Sequence, residues 1–345
     1  MMSDVRIFCH LLSVIMKFHW LRVALASALV AALGACASPH QQSAGPFDIA
    51  PHFEADMFVA TDGAHLPLRH WLPEGEPTAV ILALHGFNDY SNAFDQAGKY
   101  WRGRGIATYA YDQRGFGATQ HAGVWPPQDS LIADVKAALG ILRTTYPGRP
   151  VHVLGESMGA AILLSAAAEE PLDADSVILA APAVWARSTM NPFYRAALWL
   201  GAHLFPAMEL TGRGLGVVAS DNREMILSLQ RDPLVIKHTR IDAMWGLVNL
   251  MDSALQGSAK LTAPALILYS ANDQLIASGP TSEMVSRLSA DIPVAFYETG
   301  WHMLLRDLAA EIVWADIAAW IADGKTELPS GAVAAGDIKF SRPAH

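Results

Sequence analysis

The chain predicts an α/β fold, a mostly parallel eight-stranded sheet flanked by helices, with a helical cap inserted after the sixth strand. Three observations carry this reading. Short, continuously apolar runs such as residues 78–84 and 265–270 read as strands buried on both faces. They alternate with longer segments whose apolar residues recur at helical spacing. The alternation pauses once, over residues 182–258, and then resumes.

Residues 53–60 and 66–72 are short β-like runs separated by the turn signal Thr61-Asp62-Gly63. The strand at 78–84 runs into His85-Gly86-Phe87-Asn88-Asp89-Tyr90-Ser91. A helix over 92–102 is stopped by Gly103 and Gly105. The strand at 106–111 leads into Asp112-Gln113-Arg114-Gly115-Phe116-Gly117. Leu131, Val135, Leu139 and Leu142 predict a helix over 128–146, ended by Pro147-Gly148. Val151-His152-Val153-Leu154 is a strand, followed by Gly155-Glu156-Ser157-Met158-Gly159 and an alanine-rich helix over 160–170. Residues 176–181 are a strand ended by Pro182. Beyond the insertion come a strand at 265–270, a helix at 281–288, a strand at 294–297 and a helix at 304–321. The expected core is therefore 51–181 with 259–323, and the expected cap is 182–258. The Gly-, Pro- and Ala-rich stretch 324–345 is expected to be a disordered tail.

The 345 residues carry a formal net charge of −9, with 52% hydrophobic and 17% charged residues, as a folded core requires. The acidic balance, with no Lys/Arg cluster, argues against a nucleic-acid partner. Cys9 and Cys36 are the two cysteines, which excludes a disulfide framework or thiolate metal site in the rest of the chain. With no Gly-rich phosphate loop and no cluster of metal ligands, neither cofactor nor metal is expected.

The N-terminus reads as an address. Met16-Lys17-Phe18-His19-Trp20-Leu21-Arg22 is basic, residues 23–33 are apolar or small, and Leu33-Gly34-Ala35-Cys36 follows. Lys17 and Arg22 interrupt the run too early for a transmembrane helix of about 20 apolar residues. Residues 1–36 are expected to be a signal peptide, with Met16 as an alternative start. The cysteine at the cleavage point resembles the lipobox of bacterial lipoproteins, which implies lipidation at Cys36 and a place in the cell envelope. With Ala37 rather than aspartate after it, the resemblance implies the outer membrane in a two-membraned bacterium. An ordinary secretory signal with an incidental cysteine is the competing reading. Residues 37–50 read as a flexible tether.

A β-run, a G-x-S-x-G and a helical run form the context of a nucleophile elbow at Ser157. Its turn lifts the hydroxyl above the sheet edge, and the helix N-terminus behind it favours developing negative charge. Acid and base partners belong at the carboxyl ends of later strands. Asp273, after the strand at 265–270, and His302, after the strand at 294–297, fall there. Ser157 would attack a carbonyl, His302 take its proton, and Asp273 fix the tautomer and stabilise the imidazolium. The oxyanion would be held by the backbone N–H groups of Met158 and Phe87. His85, Gly86, Tyr90 and Trp185 are expected to face the substrate, and Asp112 and Arg114 to brace the surrounding loop.

His85-Gly86, Asp112-x-Arg114-Gly115-x-Gly117, the elbow, the Asp273 loop and Gly300-Trp301-His302 together resemble the monoacylglycerol lipase and lysophospholipase branch of the α/β-hydrolases, which shares its pattern with serine aminopeptidases. The resemblance spans about residues 53–321 and implies a serine hydrolase that forms an acyl-enzyme with a lipid-like ester. Tyr90-Ser91 stands where that branch often has His-Ser, and Thr119 where serine is common, which puts substrate preference in doubt. Two other readings stay open. An amidase or aminopeptidase would use cap acids such as Glu209, Asp221, Glu224, Asp232, Asp242 and Asp252 to hold an amine. A non-catalytic lipoprotein could bind a ligand on the same scaffold. The apolar cap residues Trp185, Met190, Phe193, Tyr194, Trp199, Leu204, Phe205, Met208, Met225, Met244, Trp245 and Leu247 are expected mostly to pack as core, with some lining an acyl tunnel.

Overall fold

The computed structural model describes residues 39–332 except 213, 215, 325 and 326, together with Arg22. The expected signal peptide with Cys36 (Arg22 apart), residues 37 and 38, and tail residues 333–345 lie outside the described residues.

In chain order the first half comprises β1 (His52–Phe53), β2 (Met57–Val59), β3 (His65–Trp71), β4 (Ala79–Leu84), α1 (Asp95–Arg102), β5 (Ile106–Tyr111), α2 (Gln128–Thr145), β6 (Val151–Glu156), α3 (Met158–Glu169) and β7 (Ser176–Ala180). The cap region adds α4 (Pro192–Leu204), β8 (Glu209–Leu210), α5 (Arg223–Arg231), β9 (Thr239–Arg240) and α6 (Ile241–Gly257). β10 (Ala265–Ser270), α7 (Ser278–Arg287), β11 (Val294–Tyr297) and α8 (Ala310–Asp323) complete the core.

The main sheet runs β1-β2-β3-β5-β4-β6-β7-β10-β11, parallel from β5 to β11 and antiparallel over β1, β2 and β3. It has nine strands rather than eight because the first apolar run folds back on itself. Glu54, Ala55 and Asp56 interrupt that run, Glu54 N–H donates to Met57 O at 2.8 Å, and His52–Phe53 pairs with Phe58–Val59. The cap consequently follows the seventh strand in chain order. It also carries a small antiparallel ribbon, β8 with β9, beside its helices.

Helices cover both faces, as the fully buried β4, β5, β6, β7 and β10 require. One apolar cluster gathers α2, α3 and α6 around Val80, Leu82, Val153 and Val177. The other sets α1 and α8 against Ile81, Leu154, Ile178 and Leu266 through Trp101, Ile317 and Trp320. Although α6 falls in the expected cap, it packs along α3, and Gly257 meets the Leu164 carbonyl so closely that no side chain fits between them.

Three expectations need correction. The last helix starts at Ala310, not at 304, because Arg306 and Asp307 turn their side chains into buried polar contacts. Residues 39–50, expected to be a flexible tether, have no regular structure but are pinned to the body. Gln42 N–H donates to Trp125 O at 2.9 Å, its side-chain amide to Val124 O at 2.6 Å, and Ile49 N–H to Thr61 O at 2.9 Å. The start of the expected disordered tail is likewise packed. Leu328 is buried, and Ser330 donates to Asp316 and Ala332 O accepts from Phe296 N–H.

Candidate active site

β6 ends at Glu156 and α3 begins at Met158, so Ser157 alone makes the turn, at φ 53° and ψ −108°. That conformation stores strain on the order of 1–3 kcal/mol, which the surroundings must hold. They do so from both sides. Ser157 N–H donates to Ala180 O at 2.9 Å, and Ser157 O accepts from Ala183 N–H at 3.1 Å. A side chain at Gly155 would collide with the first turn of α3 at Ala160, and one at Gly159 with the Leu84 carbonyl of β4. Both glycines are therefore demanded by close backbone approach.

Asp273 and His302 sit just beyond β10 and β11, and both are buried. Asp273 Oδ1 accepts from the N–H groups of Leu275 and Ile276, each at 2.9 Å, which orients the carboxylate. Its Oδ2 lies 2.8 Å from His302 Nδ1, and His302 Nε2 lies 3.0 Å from Ser157 Oγ. A carboxylate only accepts, so Nδ1 carries the ring proton and Nε2 is left to accept from the serine hydroxyl. Burial works against the charged imidazole, but Asp273, and Glu156 behind it, outweigh burial and raise its pKa above 6.5. The imidazolium formed when Ser157 is deprotonated is thereby stabilised.

Met158 opens α3 directly after the nucleophile, and Phe87 follows Gly86 in the loop after β4. Among the described residues, neither Met158 N–H nor Phe87 N–H donates to a protein acceptor. A methyl built on Gly86 would stand 3.5 Å from Ser157 Cβ, so the loop after β4 passes alongside the nucleophile. Two amides without a protein acceptor thus lie on the segments that meet at Ser157, the kind of donors a tetrahedral oxyanion needs.

His85 does not face substrate. It is fully buried, its Nδ1–H donates to Gly86 O at 2.8 Å, and its Nε2 accepts from Gln113 N–H at 2.9 Å. Burial lowers its pKa, which keeps the ring neutral, as this donor–acceptor pairing demands. Its work is to shape the oxyanion loop. Tyr90 is buried too, and its hydroxyl donates to Asp232 of the cap at 2.7 Å, so it ties loop to cap rather than lining the site. Asn88 adds two ties, donating to Thr239 Oγ1 at 2.7 Å and accepting from Ile236 N–H at 2.9 Å. Trp185 is partly buried against the larger apolar cluster.

Asp112 and Arg114 brace the loops. Asp112 accepts from Ser91 N–H and Oγ–H and from Ala118 N–H, joining the loops after β4 and β5. Arg114 forms paired hydrogen bonds with both Asp62 and Asp134, at 2.6–2.8 Å.

Beneath the elbow lies a buried charge network in which Glu156, read from the sequence as packed or hydrogen-bonded there, meets Arg306, Asp307 and Asp89, which the sequence reading did not single out. Arg306 donates to Asp89 at 2.5 Å and to Glu156 at 3.5 Å. Asp307 accepts from Trp301 N–H at 2.7 Å and from Ser220 Oγ–H of the cap at 2.6 Å, fixing the loop that carries His302. The adjacent Arg306-Asp307 inside an otherwise apolar run was the available signal. Periodicity assigned it to a helix face, since nothing in sequence distinguishes a solvated charge from a buried one.

The family model described as serine aminopeptidase, S33, matches residues 75–309. The monoacylglycerol lipase of Mycolicibacterium smegmatis is 26% identical over 268 residues, covering 76% of this chain and 95% of that protein. Human monoglyceride lipase is 28% identical over 281 residues, covering 79% and 91%. Among solved structures, a soluble variant of monoglyceride lipase from Saccharomyces cerevisiae, in complex with a substrate analog, superposes with a TM-score of 0.65 at 20% identity, covering 77% of this chain and 93% of that one. The monoacylglycerol lipase of Paleococcus ferrophilus gives 0.60 at 19% identity, covering 75% and 99%. These two likenesses establish the α/β-hydrolase fold.

Proposed function

The chain belongs to the serine aminopeptidase, S33, family, and on that premise we propose that it is a serine ester hydrolase acting on monoacylglycerol-like or lysophospholipid-like substrates. The observation that carries the reading is the continuous hydrogen-bonded line from Asp273 through His302 to Ser157. Ser157 Oγ attacks the ester carbonyl as His302 Nε2 takes its proton, and Met158 and Phe87 N–H stabilise the oxyanion. His302 then protonates the leaving alcohol. Water, activated by the same imidazole, releases the acid from the acyl-enzyme.

Ester is preferred to amide through the cap acids. Asp232 accepts from Tyr90, Asp242 pairs with Arg240, Asp252 pairs with Arg187, and Asp221 caps Leu308 N–H. Glu209 and Glu224 lie on the surface. None is left over in the interior to hold a substrate amine. The 26–28% identical relatives named for monoacylglycerol hydrolysis support the same substrate class. For the anchor, the lipobox-like Leu33-Gly34-Ala35-Cys36 supports a lipidated, envelope-bound protein.

The test is hydrolysis of monoacylglycerols and of p-nitrophenyl esters of increasing chain length, by the wild-type protein and its Ser157→Ala variant. Wild type should cleave esters, and the variant should lose on the order of 10⁴-fold or more in kcat. A folded wild type that cleaves aminoacyl anilides but no ester would overturn the reading.

A further inference from the structure

The three residues of the hydrogen-bonded line are not supported alike. Ser157 lies between β6 and α3, well inside the sheet, with its N–H and carbonyl both hydrogen-bonded to the chain after β7. Asp273 and His302 hang from the last two strands, β10 and the edge strand β11, on irregular loops that run to α7 and α8. Between these loops Ser270 Oγ–H donates to Trp301 O at 2.8 Å. A proton-transfer pair carried on two such loops keeps its geometry only if one loop is fixed against the other.

Cap residues 218–222 reach both loops. Val218 N–H donates to the side-chain carbonyl of Gln274 at 2.9 Å, and the adjacent Ala219 O accepts from Met303 N–H at 3.0 Å. Gln274 and Met303 are the residues directly after Asp273 and His302. Neighbouring cap residues thus grip the acid's loop and the base's loop at equivalent positions. The buried Ser220 holds the other side of His302. Its hydroxyl donates to Asp307 Oδ1 at 2.6 Å, and Asp307 Oδ2 accepts from the N–H of Trp301, the residue before His302, at 2.7 Å. Asn222 N–H donates to Ser220 Oγ at 3.1 Å and its amide to Arg306 O at 3.0 Å. Asp221 accepts from Leu308 N–H at 2.9 Å. Each polar group named in this segment is spent on the two loops or on the segment itself.

We propose that residues 218–222 form a clasp that sets Asp273 against His302, with Ser220 and Gln274 as positioning residues for the hydrolysis. The proposal rests on the serine-hydrolase reading above. It makes the cap a support of the base as well as a cover for the substrate. A displacement of the cap is carried to His302 from one side through Met303 and from the other through Asp307 and Trp301.

The experiment uses the full chain and two substitutions at opposite ends of the clasp. Ser220→Ala removes the hydroxyl that Asp307 and Asn222 share. Gln274→Met, at an exposed position, removes the acceptor of Val218 N–H at nearly constant length and carries the test should Ser220→Ala fail to fold. Two readouts are taken. The first is kcat and KM on a short soluble ester, with rates counted per serine labelled at completion by a fluorophosphonate, so that a misfolded fraction drops out. The second is the far-downfield proton resonance of His302 Nδ1–H, assigned by its loss in His302→Ala. In Ser220→Ala, kcat should fall between about 10-fold and the 10²-fold that a misplacement of about 1 Å can cost, with KM little changed. The resonance should shift or broaden in step. Gln274→Met should show the same pair of changes, smaller, and Gln274→Glu, which keeps an acceptor for Val218 N–H, should recover most of the loss. Either readout left at its wild-type value in the folded variants would overturn the proposal, as would a loss confined to KM, which would make the segment a wall of the substrate entrance. A wild-type protein that cleaves no ester would instead sink the hydrolase reading. The resonance needs no substrate and still judges the clasp.

Discussion

α3 and α4 are close in length and both are apolar, yet the protein treats them in opposite ways. α3 buries every residue from Met158 through Ala167, whereas α4 buries Ala202 alone. The difference lies in the neighbours. α3 is enclosed by β4, β6, α2 and α6, and its Ala and Gly residues let those elements approach. α4 carries Phe, Tyr and Trp but meets little beyond α6. Apolar composition therefore says that a helix needs a cover, and topology says whether the fold supplies it. In α3 the cover is the sheet, and the reward is a serine held in a strained turn. In α4 the fold supplies no comparable cover.

Truncation is the sharpest way to break this comparison. Leu163→Ala in α3 opens a cavity in a closed core and should lower unfolding stability by about 2–5 kcal/mol. Leu200→Ala in α4, 49% exposed, should stay within about 0.5 kcal/mol in solution. Chemical denaturation of the two variants checks this, and equal losses would mean that α4 is covered after all. A smaller effect is expected from Gly159→Ala. The added methyl meets the backbone carbonyl of Leu84, which cannot rotate away as a side chain could, so overpacking should cost about 1–3 kcal/mol. Because β4 leads into Gly86 and Phe87, the same shift should lower kcat more than it raises KM. Retained stability with intact kcat would show that α3 tolerates a displacement the packing argues against.

The same contrast explains what the sequence could reveal. The parallel strands and the elbow were legible because each is local: an apolar run, a turn, a helix start. The order of Ser157, Asp273 and His302 was legible because α/β topology sends strand ends to one edge. Residues whose role depends on a distant partner were not. His85 reads as a site residue, but Gln113, across the β4–β5 loops, takes its second nitrogen. Tyr90 reads as pocket-lining until Asp232 arrives from the cap. Residues 39–50 look like a tether because their contacts are backbone hydrogen bonds and single side-chain amides, which leave no composition signal. Phe193, Tyr194, Trp199, Phe205 and Met208, expected as core or tunnel, stand exposed for the reason just given.

The finest test concerns the charges beneath the elbow. His302 works as a base only when neutral, so activity must fall as pH drops through its pKa. Burial lowers that pKa while Asp273 and then Glu156 raise it, and the carboxylates prevail. Glu156 is not in the hydrogen-bonded line to Ser157, and its contact is with Arg306. Glu156→Gln keeps its shape and removes its charge. The variant's imidazolium loses a stabilising neighbour, so the acid limb of kcat/KM against pH should move to lower pH, with the plateau rate little changed. An acid limb that stays in place would mean that Arg306 already cancels Glu156 at the imidazole. One that moves to higher pH would overturn this reading, because losing Glu156 and freeing Arg306 should both lower the pKa of His302.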